Sequence, residues 1–215
     1  LIERLLHDCQ DSRGIGRLAQ NPLLFTLLIM IYANSGPPAA KRHRVYQQAV
    51  QTLVSVRNRS TGQKIFSEAD LRKRLGAVAV SVFRDPQGTV PSWQATVSCI
   101  RNIMEEETSS KVTDDTVEQY IRQVADATGI LVLHRRTDND AESRITFMHH
   151  SFMEYYAAVG LLSERTSIEQ AVSLATSPRW REVIALYSGI LGESDDITPF
   201  IEKLNLWRMS RSDRA

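Results

Sequence analysis

What the chain lacks narrows it first. It has two cysteines in 215 residues, Cys9 and Cys99, far apart and without metal-motif spacing. That excludes a disulfide scaffold and a cysteine zinc site, and it makes a reducing compartment the default. Neither charge sign dominates: 26 basic residues stand against 25 acidic ones, a formal net charge of +1. There is therefore no global electrostatic case for nucleic acid or a membrane surface, and such binding would need a local patch. The longest apolar run, Pro22 to Tyr32, has only 11 residues. A membrane span needs about 20, so this run is expected to be a buried helix and no membrane partner is expected. The chain opens on Leu1 without a signal peptide and reads as a segment of something longer.

Catalytic motifs are missing too. There is no G-x-x-x-x-G-K-[ST], H-E-x-x-H or G-x-S-x-G. Gly14 and Gly16 lead only to Arg17, a weak glycine pair. No apolar strand ends in the paired acids that would hold magnesium. The segment is not expected to be an enzyme by itself, and no catalytic residue is assigned. His150 and Glu154, one helical turn apart, lack an evident third ligand, so no metal site is assigned.

What is present is a globular composition, 42% hydrophobic, written mostly in helical periods. Asn21-Pro22 is a helix start, and residues 34–38 (N-S-G-P-P) a stop. Residues 41–57 carry a one-sided stripe of Val45, Tyr46, Ala49, Val50, Leu53 and Val54. Lys41 to Arg44 are expected to be its solvated first turn. Ser67 to Asp70 is a capping box variant opening a helix. Trp93 to Met104 and Val117 to Val124 mark two more, and Gly129 closes the second. Glu105 to Glu107 read as a solvated helix end.

Then the pattern changes. Ile130 to His134 and Arg144 to Phe147 read as one antiparallel hairpin around a polar turn. Helices follow at about 150–163, from Ser177-Pro178, and at about 197–207. Phe147, Phe152, Tyr155, Trp93 and Trp180 are expected core anchors. The fold class is therefore mainly α with one β-hairpin. Three helices, a hairpin and a helix suit a winged-helix domain over 59–164. A first helical domain is expected at 1–58 and the start of a second at 165–215.

One run is more specific. Phe147 to Ala158 reads F-M-H-H-S-F-M-E-Y-Y-A-A. It resembles F-x-H-x-[ST]-F-x-E-[YF]-x-A-A, the signature of NACHT-type STAND ATPases, the family of NOD-like receptors and their bacterial relatives. Three further segments resemble that family in its order. Asn21 to Leu24 with Arg42 and Val45-Tyr46 resembles N-P-L-L-L followed by P-x-x-R-x-x-L-Y, although Pro38 stands one position early and Ala39 occupies the proline's place. Gly129-Ile130-Leu131 resembles G-[IL]-L. Trp180, Glu182, Val183 and Gly189 resemble W-x-E-[VI]-x-x-x-x-x-G.

The resemblance implies a segment that follows a P-loop domain of the same chain. It implies ADP or ATP, with magnesium in the parent protein, as the nucleotide sensed. It places Pro22 near the adenine and His149 on a phosphate, as the cofactor-binding residues of a latch. Exchange to ATP would release the winged helix and expose surfaces for homo-oligomerisation, in a cytoplasmic signalling protein of innate immunity or antiviral defence. Without the resemblance, the residues alone favour a satisfied core histidine at 149 and a plain helix start at Pro22. A winged-helix DNA-binding regulator and a helical scaffold without a nucleotide role are the alternatives. Against DNA stands the face of Asp114, Asp115, Glu118, Gln119, Arg122, Gln123 and Asp126, which is net acidic where a recognition helix presents donors to bases.

Overall fold

A computed structural model describes residue 7 and residues 13–61, 67–134, 144–194 and 197–212. Along the chain lie α1 (Arg13–Ala19), α2 (Pro22–Ser35), α3 (Arg42–Thr61), α4 (Glu68–Arg84), α5 (Trp93–Thr108), α6 (Asp114–Thr128), β1 (Leu131–His134), β2 (Arg144–Phe147), α7 (His150–Ser163), α8 (Ile168–Leu174), a 3-10 turn (Pro178–Trp180), α9 (Arg181–Ser194) and α10 (Thr198–Ser212). The fold is mainly α with one antiparallel hairpin. No helix among the described residues is long and apolar enough to cross a membrane.

Local chemistry sets the helix ends. Asn21 Oδ1 accepts the Leu24 amide at 3.2 Å, and Pro22 takes the first helical position. Ser67 and Asp70 cap each other reciprocally at 3.0 and 3.1 Å. Gly129 stops α6 at φ 65°, and its amide donates to Ala125 O at 2.9 Å.

The hairpin pairs Leu131 with Phe147 and His134 with Arg144. Ser92, between α4 and α5, forms a further antiparallel bridge with Arg144. That extended residue lies where a winged helix has its short first strand. The α4–α5–α6–hairpin order therefore has winged-helix connectivity.

At the centre lies α7. Every residue from Ser151 to Leu161 is buried, as expected of a helix apolar on all sides. The helix α4 crosses it at Gly76 and Gly160, α9 packs along another side, and α3 meets it through Tyr46. One continuous core joins Ile15 to Phe200.

Some elements differ from the sequence expectation. The helix α3 runs to Thr61, through residues 58 and 59 where the first domain boundary is expected. The helix expected from Ser177-Pro178 is a 3-10 turn, with α9 starting at Arg181, and α10 reaches Ser212. The helix α8 has no counterpart in the sequence expectation, although Ser167 and Gln170 form a reciprocal capping box at 3.1 and 3.3 Å. Seven residues give too little periodicity to register. The hairpin tip with Arg135 and Arg136, and most of the expected helix at 1–9, lie outside the described residues.

Candidate functional site

Pro22 is exposed at the first position of α2, and His149 is exposed as the N-cap of α7. Among the described residues, no hydrogen bond, ion pair or ring contact joins the two. The core-histidine expectation for 149 is overturned by its exposure. Strand β2 ends at Phe147 and the chain turns outward before α7 enters the core, so the ring stays at the rim.

The His149 ring is nevertheless fixed. Its backbone is extended, and Nδ1 accepts the Ser151 amide at 3.1 Å. That bond assigns the neutral ring's proton to Nε2, leaving an N–H donor with no partner among the described residues. No acidic residue occupies the first turn of α7. The helix end therefore offers positive dipole and a directed donor together, a combination suited to an anion.

Farther along α7, residues from three separated segments meet. Tyr46 of α3 lies edge-on to Phe152 with ring centroids 5.3 Å apart, and stacks on Tyr155 at 5.6 Å. Arg42, one turn earlier, pairs with Glu182 of α9. Gly189, two turns along α9, lies against the His43 ring. The motif residues quoted from three places in the sequence thus form one junction of α3, α7 and α9. All five expected aromatic anchors are buried.

Glu154 is buried beside this junction, with Oε1 3.5 Å from His150 Nε2. Burial raises its carboxyl above the usual range near 4.5, and Glu182 adds to that, while Arg42 and His149 oppose it. His150 itself is exposed. Partial burial, and then Arg179, lower its pKa below 6.5. Among the described residues no third donor completes a metal-binding group with this pair.

The sign of the Glu154 effect is testable. Its folded pKa lies above its unfolded one, so its stabilising contribution is full below pH 4.5 and is lost as pH rises through the folded value. A glutamine side chain in its place would not ionise. Glu154→Gln is expected to gain on the wild type as pH rises from about 4 to about 7, by about 1 kcal/mol or less. Urea unfolding at several pH values measures it. A difference that does not change with pH, or one that shrinks as pH rises, contradicts the assignment. His150 runs the other way, its contribution being full above 6.5 and lost as pH falls.

Some site residues escape sequence reasoning. Arg179 reaches back to the end of α4. Its guanidinium donates to Val82 O at 2.7 Å, to Pro86 O at 3.3 Å and to Gly88 O, and lies over the Phe83 ring. It satisfies carbonyls that the end of α4 leaves open. Glu107 is exposed, as expected, and takes Arg74 at 2.8 Å and Lys73 at 3.0 Å, partners that lower its pKa against the effect of desolvation. Its neighbour Glu105 accepts the Val112 amide at 3.0 Å. Lys41 to Arg44, also expected in solvent, are docked on α9. The ion-pair partners of Glu107 and of Lys41 to Arg44 are 33 to about 150 positions away, where no local pattern points.

The outward face of α6 has the expected composition. Asp114 pairs with Arg101, and Glu118 accepts Arg122 at 3.3 Å and the Trp93 indole at 3.4 Å. Its arginine is thus committed to a carboxylate. A cleft of about 440 Å³ between α5 and α6 is walled by Trp93, Arg101, Asp114 and Glu118, with Arg101 paired to Asp114 and Glu118 to Arg122. Compared with known proteins, the chain matches no family model, no curated protein and no solved structure.

Proposed function

We propose that this chain is the regulatory segment of a NACHT-type STAND ATPase, a cytoplasmic nucleotide-sensing switch in immune or antiviral defence. In this reading a P-loop domain of the same parent chain holds ADP or ATP with magnesium. The winged-helix unit senses which is bound and passes that state on to domain opening and homo-oligomerisation. The segment by itself is a switch element without catalysis.

One observation carries the reading. His149 is a rim histidine with Nδ1 held by the Ser151 amide, so Nε2–H points away from its own helix as a donor, at a helix end without acids. That donor set fits a phosphate. A bound nucleotide would supply the negative charge, and His149 would donate one charge-assisted hydrogen bond to it. Pro22 is exposed and rigid, and it suits a flat apolar contact with a base. The buried part of the same motif keeps the start of α7 in place, so the donor is preorganised. DNA binding has less support, because the α6 face that would enter a groove is acidic.

The gene upstream of Leu1 is expected to encode a strand–GxxxxGK[ST]–helix. In that parent protein, His149→Ala is expected to speed release of a fluorescent ADP about 10- to 100-fold, the worth of one hydrogen bond to a charged group. Basal oligomerisation should rise in parallel. An unchanged release rate in a protein that does carry the P-loop would overturn the role of His149.

A further inference from the structure

The first turn of α3 is crowded with positive charge. Lys41, Arg42 and Arg44, with His43 among them, stand in a row at the positive end of a helix dipole. Such a row repels itself unless anions meet it. The helix α9 brings two, Glu182 and Glu193, eleven residues apart and so on one face, with Gly189 between them.

The pairing is specific. Arg42 Nη1 engages Glu182 Oε2. Glu193 takes Arg44 Nε at 2.6 Å on one oxygen. On the other it meets His43 Nε2 at 2.9 Å and Lys41 Nζ at 3.7 Å. Against desolvation, Arg44 and His43 hold the Glu193 carboxyl down at about 2. The His43 ring is buried flat against Gly189, where a Cβ would lie 2.6 Å from Nδ1.

We infer that the α3–α9 junction is an electrostatic clasp, closed by Glu193 and Glu182 on Lys41 to Arg44, which opens when those charges are screened or removed while the core stays folded. Three helices form a closed triangle here. The side between α3 and α7 is aromatic, Tyr46 on Phe152 and Tyr155. The side between α7 and α9 is apolar, with Val183, Leu186 and Tyr187 buried on α9. The side joining α9 directly to α3 carries the four ion pairs and the glycine–histidine contact. Screening does not weaken the apolar sides, whereas pairs with exposed members fade with salt. Opening the third side lets α9, and the α10 that follows it, pivot on its apolar contact with α7 to a second position relative to α3. The inference does not depend on the nucleotide-switch reading.

The test is a distance. Nitroxides at Ala40→Cys and Ala185→Cys, both exposed positions, are measured by pulsed dipolar spectroscopy in a background lacking Cys9 and Cys99. At about 50 mM salt a single short distance is expected. At about 1 M, where the screening length falls to roughly 3 Å, a second, longer distance should grow from below about a tenth of the population to the larger share, with helicity by circular dichroism unchanged. Glu193→Gln should produce the longer distance already at low salt. Gly189→Val should do the same by pushing the His43 ring off Glu193 with every charge retained. One distance in the unsubstituted pair at both salt concentrations would overturn the clasp, whether or not the variants fold. So would a longer distance that appears only together with loss of helicity.

Discussion

Replacing Gly160 with alanine is expected to destabilise the fold by about 2–3 kcal/mol, and replacing it with valine to prevent cooperative folding. On an isolated helix the first change would help, because alanine is about 1 kcal/mol better than glycine in a helix interior. Here a Cβ on Gly160 would lie 2.5 Å from the Gly76 carbonyl oxygen, 2.7 Å from its carbon and 2.7 Å from Val80 Cγ2. Two of those atoms are backbone of α4, already committed to helical hydrogen bonds. They can retreat only if the whole of α4 shifts. Because α7 is buried on all sides, that shift would reopen packing along its length. Gly76→Ala should cost less, since its nearest atoms would be 3.0 Å away. Gly192→Ala supplies the control. It meets only Ile197 side-chain carbons at 3.4 Å and beyond, and should be neutral or slightly stabilising. Urea unfolding followed by circular dichroism orders the three. A Gly160→Ala protein as stable as the Gly192→Ala protein would refute the close crossing.

The sequence shows neither the crossing nor the clasp, and the reason is the same for both. Periodicity reports which face of a helix is apolar. It does not report which helix that face will meet. Thus Asn21-Pro22, Ser67 to Asp70 and Gly129 are legible, because each acts on backbone groups within four residues. The hairpin strands are legible because branched residues alternate with a polar turn between them. The Lys41–Arg44 row looks solvated, because its acids lie some 140 to 150 residues away on α9. Glu182, Gly189 and Glu193 do share a face in the sequence, and that spacing is the available signal. His149 is ambiguous for a different reason. Its side chain sits at a strand-to-helix corner, where a few degrees of chain direction decide between core and rim. Local sequence cannot supply that direction, because α7 takes its direction from α4 and α9.

Tyr46→Ala is expected to cost about 3–5 kcal/mol, the range for deleting a buried aromatic ring, and to leave the segment largely unfolded. Tyr46 is almost wholly buried, edge-on to Phe152 and stacked on Tyr155, with the Arg42 guanidinium 6.0 Å from its centroid. Truncating it opens a cavity between α3 and α7 and removes two ring contacts worth more than their area alone. Tyr46→Phe keeps the rings and loses only the hydroxyl's interaction with Arg42, so about 1 kcal/mol is expected. His149→Ala, at an exposed N-cap, should cost no more than a lost cap, about 1 kcal/mol. Urea unfolding again separates these cases. If His149→Ala proves as damaging as Tyr46→Ala, the histidine belongs to the scaffold, and its role as a ligand donor fails. If the expected order holds, the motif divides into two kinds of residue. Phe152, Tyr155 and the buried alanines of α7 fix the helix against Tyr46, and His149 is the exposed group they hold in place. A rigid start to α7 is what gives its Nε2–H a fixed direction, so the buried rings matter to any anion bound there without touching it.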